Sequence, residues 1–405
     1  MAIVVQKYGG SSVADAEKIR NVAGRIIRAK EAGNQVVAVV SAMGKTTDHL
    51  IEMAHEVSDN PHQRELDSLL STGEIVTSTL LSMALRTMGH RAISLTGAQA
   101  GIKTDATFNK ARITDINPRR IQKELENDRT VIVAGFQGIT DNLDVTTLGR
   151  GGSDTTAVGL AVALGADRCE IYTDVEGVYT ADPRIAPEAR KLDEIGYEEM
   201  LEMASVGAKV MHSRAVELGW VYNMPILVAS SLNDNPGTMI HGGNSMEIKN
   251  KVSGIAHDPN IAKITVQGVP DRPGIASSIF EPLASAGISV DSIVQNASVK
   301  HITDLTFTVA STDEKATMEV IKPIAKEIGA KKCLSDATLG KVSVIGAGMQ
   351  SGPGYAARMF KALADEDINV ELISTSEIRI TCIIDKEKVP QAVQALHRTF
   401  ELEGD

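Results

Sequence analysis

The run Lys7-Tyr8-Gly9-Gly10-Ser11-Ser12 stands directly behind the strand-like Ile3-Val4-Val5 and ahead of a helical pattern. Glycines let the backbone approach an anion, and a helix N-terminus offers unpaired N–H groups and the positive end of its dipole. Lys7 adds a point charge. The chemistry this suits is phosphate binding, although a plain glycine turn with a surface lysine accounts for the run equally well. A second loop, Thr147-Leu148-Gly149-Arg150-Gly151-Gly152-Ser153-Asp154-Thr155-Thr156, precedes the small-residue helix 157–164. Three glycines, an arginine and several hydroxyl or carboxylate groups are costly in chain entropy for mere turning. A third segment, Tyr172-Thr173-Asp174-Val175-Glu176-Gly177-Val178-Tyr179-Thr180-Ala181-Asp182-Pro183-Arg184, mixes aromatic, acidic and basic groups as a base and ribose would require. Weaker candidates are Ser41-Ala42-Met43-Gly44-Lys45-Thr46-Thr47 and Ser71-Thr72-Gly73-Glu74.

Two motifs are decoys. Gly44-Lys45-Thr46 resembles the end of a P-loop, but Val39 stands where that motif needs glycine. Gly346-Ala347-Gly348-Met349-Gln350-Ser351-Gly352 resembles a dinucleotide fingerprint with its third glycine one place late, and a repeat described below explains it better. No zinc motif or Ser-His-Asp arrangement appears. His212 reads as packing or helix surface.

The elements that must position these loops alternate along residues 1 to about 240. Buried strands are expected at Ile3-Val4-Val5, Val36–Val40, Val131–Ala134 and Glu170-Ile171-Tyr172, with helical periodicity over 14–31 and 64–88. That pattern argues for a mainly parallel sheet covered on both faces, with both loops at its carboxyl edge. The turn formers at 233–237 and 241–245 mark a boundary, giving a first domain over 1–245. Behind it lies a repeat. Pro273-Gly274 matches Pro353-Gly354, Phe280 matches Phe360, and Ile288-Ser289-Val290-Asp291 matches Ile368-Asn369-Val370-Glu371. Each copy reads as strand, turn, helix, strand, so two small α+β units are expected over 262–338 and 339–405, the latter with a contribution from 250–258.

The 405 residues suffice for two or three domains. A net charge of −11 and the lack of a basic run argue against nucleic-acid binding. Three scattered cysteines, no signal peptide and no membrane-length apolar stretch point to a cytoplasmic protein.

Taken in order, these motifs resemble those of the aspartate kinases, and the resemblance covers nearly the whole chain. It implies an amino acid kinase fold followed by tandem ferredoxin-like ACT domains. The implied activity is ATP-dependent phosphorylation of the aspartate side chain, the first step of lysine, threonine and methionine biosynthesis. By resemblance, Lys7, Gly9 and Gly10 contact the transferred phosphoryl group, and Asp154 orders the catalytic centre. Ser41, Thr47, Glu74, Arg150, Gly151 and Ser153 hold aspartate. Thr173, Asp174, Tyr179, Arg184 and Lys209 hold ATP, which carries magnesium. Lysine, threonine or both are the implied effectors. Their expected contacts are Asp271, Gly274, Ala276, Asp291 and Gln295 in the first repeat, and Ala356, Asn369, Val370, Ser376 and Glu377 in the second. One departure stands out: Ser213 occupies a position where this family places proline, which puts local helix geometry in doubt.

The chemistry agrees with the resemblance. The nucleophile is a carboxylate already ionised at neutral pH, so no general base is required. Catalysis must come from positioning and positive charge. The substrate's ammonium needs an anion, for which Glu74 is suited, and its carboxylate needs a donor fork, for which Arg150 is suited. Two rivals are a related kinase acting on another acid and a silent amino-acid sensor. Assembly is expected through the ACT domains, as a homo-oligomer or with a short chain starting at Met246.

Overall fold

A computed structural model describes residues 1–208, 210–242, 252–296, 301–351 and 353–403. Two compact units result. The first holds Met1–Val178, Lys191–Ala204 and the described part of 209–246; the second holds Tyr179–Arg190, Ser205–Ala208 and the described part of 247–405.

The first unit is built on an eight-stranded sheet. At its centre Ile3–Tyr8 lies parallel between Gln35–Val40 and Arg168–Thr173. Thr130–Ala134 and Ala92–Leu95 extend it in parallel on one side, and Ile226–Ser230 does so on the other. Thr238–His241 runs antiparallel to its neighbour Ile226–Ser230, and Glu194–Gly196 pairs parallel to Thr238–His241 at the edge. The central strands are almost continuously apolar because helices cover both faces. Ile19, Val22 and Ile26 of helix Ala16–Glu31 and Leu81 and Leu85 of helix Thr72–Thr87 pack with Tyr8, Val36, Ala38 and Ile132. On the opposite face, helix Gly152–Leu164 is buried on almost every side, and its run of small residues permits that close approach.

The helical pattern expected over 64–88 is two helices, Gln63–Leu70 and Thr72–Thr87, separated at Ser71. Contrary to the sequence reading, this stretch does meet the length and apolarity of a membrane span. Half of its most apolar window is buried inside the unit, as in a core helix. A second four-stranded sheet carries Val145–Thr147 at its edge.

The second unit contains two sandwich-like halves that repeat one another. In the first, Ile261–Pro270 pairs with Ile302–Ala310 and Lys332–Asp336. In the second, Leu339–Ile345 pairs with Arg379–Asp385 and with Gly254–Asp258. The fourth strand thus follows one repeat in sequence and precedes the other. Gly274 and Gly354 both adopt left-handed backbone (φ 91° and 103°) and cap helices Ile275–Ser285 and Tyr355–Asp365. This is why each repeat turns at Pro-Gly.

Two segments depart from the contiguous boundary expected from sequence, Tyr179–Arg190 and Ser205–Ala208, which belong to the second unit. The Thr180 hydroxyl donates to the Leu402 carbonyl (3.1 Å) and lies 3.0 Å from His397 Nε2. The Ile255 amide donates to the Thr180 carbonyl at 2.7 Å. Ala181 and Ala186 are buried with Leu396 and Phe400. Lys209, Gly243, Ser245 and Met246 lie outside the described residues.

Candidate active site

At the carboxyl end of strand Ile3–Tyr8, Lys7 Nζ sits 2.7 Å from Asp154 Oδ1. Residue alternation sends Lys7 toward the face covered by helix Gly152–Leu164, where Asp154 occupies the first turn. Four further contacts assemble the neighbouring loops. The Gly44 amide donates to the Gly10 carbonyl (3.0 Å), and a Cβ on Gly10 would stand 2.8 Å from the Ala42 carbonyl oxygen. The Ala42 amide donates to Glu74 Oε1 at 3.0 Å. A Cβ on Gly135 would stand 3.0 Å from the side chain of Ser153. Lys7, Gly10, Ser41, Glu74, Ser153 and Asp154 are thereby drawn to one edge of the sheet. Thr47 lies in the first turn of helix Thr46–Val57, which opens beside this loop.

Glu74 is the most unusual group in the set. It is 2% exposed, and Oε2 has no hydrogen-bond partner. Burial pushes its carboxyl up to about 7, against a partial offset from the Ala42 amide. A buried carboxylate with one oxygen unsatisfied is costly to ionise and is suited to receive a cation.

The Thr147–Thr156 loop leaves the smaller sheet rather than the main one, which corrects the expected origin of this loop. It is delivered to the main sheet by fixed contacts. Leu148 N–H donates to the Phe136 carbonyl (2.8 Å), and Phe136 itself adopts left-handed backbone at φ 68°. Arg214 donates to the carbonyls of Leu148 (2.8 Å) and Ala111 (3.0 Å). Gly151 is at φ 72°, and a Cβ there would meet the His212 ring at 2.3 Å, so only glycine fits. Burial holds the His212 imidazole below its ordinary value. Ser213 does not disturb the helix: Ser213–Val221 begins at it, with His212 as N-cap accepting from the Arg214 amide.

Other expectations fare differently. Gly9 donates its amide to the Tyr172 carbonyl (3.2 Å), so that N–H is committed within the fold. The helix N-terminus expected behind Gly10 is not there. A short 3-10 turn, Gly10–Val13, intervenes, and helix Ala16–Glu31 is capped by the Asp15 side chain, which accepts from the Lys18 amide at 2.9 Å. Helix Gly152–Leu164, by contrast, starts with no side-chain cap. Arg150 is 94% exposed on its side chain and lies 3.7 Å from Asp48. Thr173 ends its strand, with Asp174 beside it (3.2 Å). Tyr179 and Arg184 stand in the second unit, where Arg184 grips Asp182 through Nε (2.9 Å) and Nη2 (2.6 Å).

In the second unit the expected effector residues cluster around the two repeats. Asp271 and Gly274 flank the first Pro-Gly turn, and Ala276 opens the helix behind it. Gln295 ends strand Ile293–Gln295. Ala356 opens helix Tyr355–Asp365, Val370 packs on that repeat's core, and the Ser376 amide donates to the Arg379 carbonyl beside Glu377. The repeats are joined by reciprocal ion pairs. Lys341 of the second reaches Asp291 of the first (2.6 Å), and Lys263 of the first reaches Glu371 of the second (2.8 Å). Asn369 donates to Glu371 at 3.2 Å.

The comparisons with known proteins agree with this architecture. The amino acid kinase family model matches residues 2–230, and ACT domain models match 263–328 and 342–400. Aspartokinase of Mycolicibacterium smegmatis is 52% identical over all of this chain and 97% of its own length. That of Pseudomonas aeruginosa is 50% identical over all of this chain and 98% of its own. E. coli aspartokinase III in complex with aspartate and ADP superposes with a TM-score of 0.83 at 25% identity, covering 98% of this chain and 99% of that one. The same enzyme in complex with lysine and aspartate gives 0.75 at 26%, with the same coverage. The chain belongs to the aspartokinases, an amino acid kinase domain followed by two ACT domains.

Proposed function

We propose that this aspartokinase moves the γ-phosphoryl group of ATP onto the side-chain carboxylate of aspartate, giving 4-phospho-L-aspartate. The observation that carries the reading is the pairing of two opposite charge arrangements at one sheet edge. Lys7, held by Asp154, offers a cation to a phosphoryl group, and Glu74 offers a buried, half-satisfied carboxylate to an ammonium. In this reading Ser41, Thr47, Gly151 and Ser153 surround the amino acid, and Arg150 closes on its carboxylate from the solvent side. Lys7, Gly9 and Gly10 line the phosphates, with Gly9 acting through its close backbone rather than its committed amide. Thr173 and Asp174 lie toward the nucleoside. Tyr179, Arg184 and Lys209 are assigned to ATP by their motif.

The carboxylate attacks already ionised, so the chain's residues position and neutralise rather than remove a proton. Lys7 spreads the charge that grows on the transferring group, and the uncapped start of helix Gly152–Leu164 adds its dipole. Magnesium arriving on ATP would neutralise phosphate charge. Among the described residues no three acidic, histidine or cysteine side chains cluster as a ready metal site.

The ACT repeats support feedback by lysine, threonine or both, and the place of the reaction is the entry to lysine, threonine and methionine biosynthesis in the cytoplasm. Assembly runs through the ACT domains, as a homo-oligomer or with a short chain begun at Met246. The test is aspartate-dependent ADP release with the acyl phosphate trapped by hydroxylamine. Equal ADP release without aspartate would overturn the reading.

A further inference from the structure

Asp67 was not among the residues singled out by sequence, and it is completely buried. Both its oxygens are in use. Oδ1 accepts from the Thr147 hydroxyl (2.6 Å), and Oδ2 accepts from the Thr147 amide (2.8 Å). The Asn109 amide donates to the same carboxylate, at 3.1 Å to Oδ1 and 2.9 Å to Oδ2. Asn109 in turn lies against Gly149, whose added Cβ would stand 3.0 Å from the Asn109 carbonyl oxygen. One carboxylate therefore fixes the start of the loop that carries Arg150 and Ser153.

The same helical stretch fixes the other end of the pocket. Asp67 lies in Gln63–Leu70 and Glu74 in Thr72–Thr87. Seven residues is about two helical turns, roughly 10 Å of rise. The junction between them is pinned by Gln137 Nε2, which donates to the Ser71 carbonyl at 2.8 Å. Glu74 holds the Ala42 amide, and Asp67 holds Thr147.

We propose that Asp67 is a positioning residue that sets the spacing between Glu74, at the ammonium, and Ser153, at the side-chain carboxylate, and so sets which length of dicarboxylic amino acid the kinase accepts. This rests on the assignment of Glu74 to the ammonium and of Ser153 to the side-chain carboxylate. A carboxylate accepting several hydrogen bonds holds a loop more stiffly than neutral pairs would, because each bond is charge-assisted. Loosening it lets the far wall recede, which costs the short substrate its simultaneous contact with both poles. A substrate one methylene longer loses less.

The experiment compares wild type, Asp67→Asn, Thr147→Val and Thr147→Ser, with aspartate and glutamate as acceptors and ATP varied separately. Wild type must first phosphorylate aspartate; if it does not, the functional assignment falls and this proposal with it. Given an active wild type, Asp67→Asn and Thr147→Val are expected to raise the KM for aspartate at least about tenfold, on the scale of a lost charge-assisted bond. The KM for ATP should shift less than about threefold, and the glutamate-to-aspartate ratio of kcat/KM should rise. Thr147→Ser, which keeps the hydroxyl, should behave as wild type. Should Asp67→Asn fail to fold, Thr147→Val decides alone. An unchanged acceptor ratio, or a uniform fall in all parameters, would leave Asp67 a structural residue and overturn the proposal.

Discussion

Lys7 Nζ and Asp154 Oδ1 stand 2.7 Å apart with their side chains 12% and 10% exposed. The pair fixes an ammonium at the carboxyl edge of the sheet with little water to screen it. A charge so placed acts most strongly where negative charge develops, and it costs no reorganisation at the moment of transfer.

Replacing Lys7 by Ala is therefore expected to lower kcat by at least about 100-fold, the scale of removing one preorganised donor. The measurement is steady-state turnover on a variant shown folded by circular dichroism. Turnover close to wild type would contradict the role given to this pair.

Glu74 makes the pH dependence specific. Its carboxyl is pushed up to about 7 by burial and must be ionised to hold an ammonium. The KM for aspartate should then be about tenfold higher at pH 6 than at pH 8, with little change in the KM for ATP. The sign for stability is opposite. A folded-state value above the unfolded one favours the folded chain at low pH, and that advantage is lost as pH rises from about 4.5 through about 7. Glu74→Gln should thus raise Tm at pH 8 while abolishing saturation by aspartate. A variant that is destabilised at pH 8 would show that Glu74 is a structural acid instead.

Arg150 stands open to solvent, beside Asp48. Its proposed closure on a carboxylate uses the planar guanidinium fork, which lysine lacks. Arg150→Ala should weaken aspartate by roughly 1.5–3 kcal/mol, and Arg150→Lys should recover only part of this. If either change weakens ATP more than aspartate, the orientation of the pocket is reversed.

The ACT repeats hold one another through Lys341–Asp291 and Lys263–Glu371. Asp291, itself an expected effector contact, and Glu371 occupy equivalent repeat positions. Feedback needs two states with different effector affinity, and a pair that joins the repeats bears on it if its cost differs between them. Lys341→Met and Lys263→Met should each shift half-inhibition by lysine or threonine at least about fivefold, with uninhibited kcat within about twofold of wild type. Unchanged inhibition curves in both variants would exclude the pairs from regulation. Point variants are preferable to truncation after residue 245, because Tyr179–Arg190 is built into the core that truncation removes.

Local signals carried much of this. Ile3–Tyr8, Gln35–Val40, Thr130–Ala134 and Arg168–Thr173 were legible as apolar runs, and the Pro-Gly repeat was legible as two matching units. Lys7 and Gly151 were named from glycine loops beside charge, although for Lys7 a plain turn explains the run equally well. Asp67 was not, since its partners lie 42 and 80 residues away and a polar residue in a helix carries no mark of them. The allegiance of Thr180 was hidden for the same reason, its partners being 217 and 222 residues distant. The cap on Ala16–Glu31 was in view as Asp15 four residues after Ser11, but the glycine motif drew the helix start too early.

The central claim is that phosphate moves onto the side-chain carboxylate of aspartate, and its most direct test observes that bond. Aspartate labelled with carbon-13 at the side-chain carboxyl is incubated with ATP, magnesium and the full chain, and followed by carbon and phosphorus NMR. The account predicts a new side-chain carboxyl resonance split by coupling to phosphorus, appearing in step with ADP. ADP formed with that resonance unshifted, or coupling carried by the α-carboxyl instead, would contradict it.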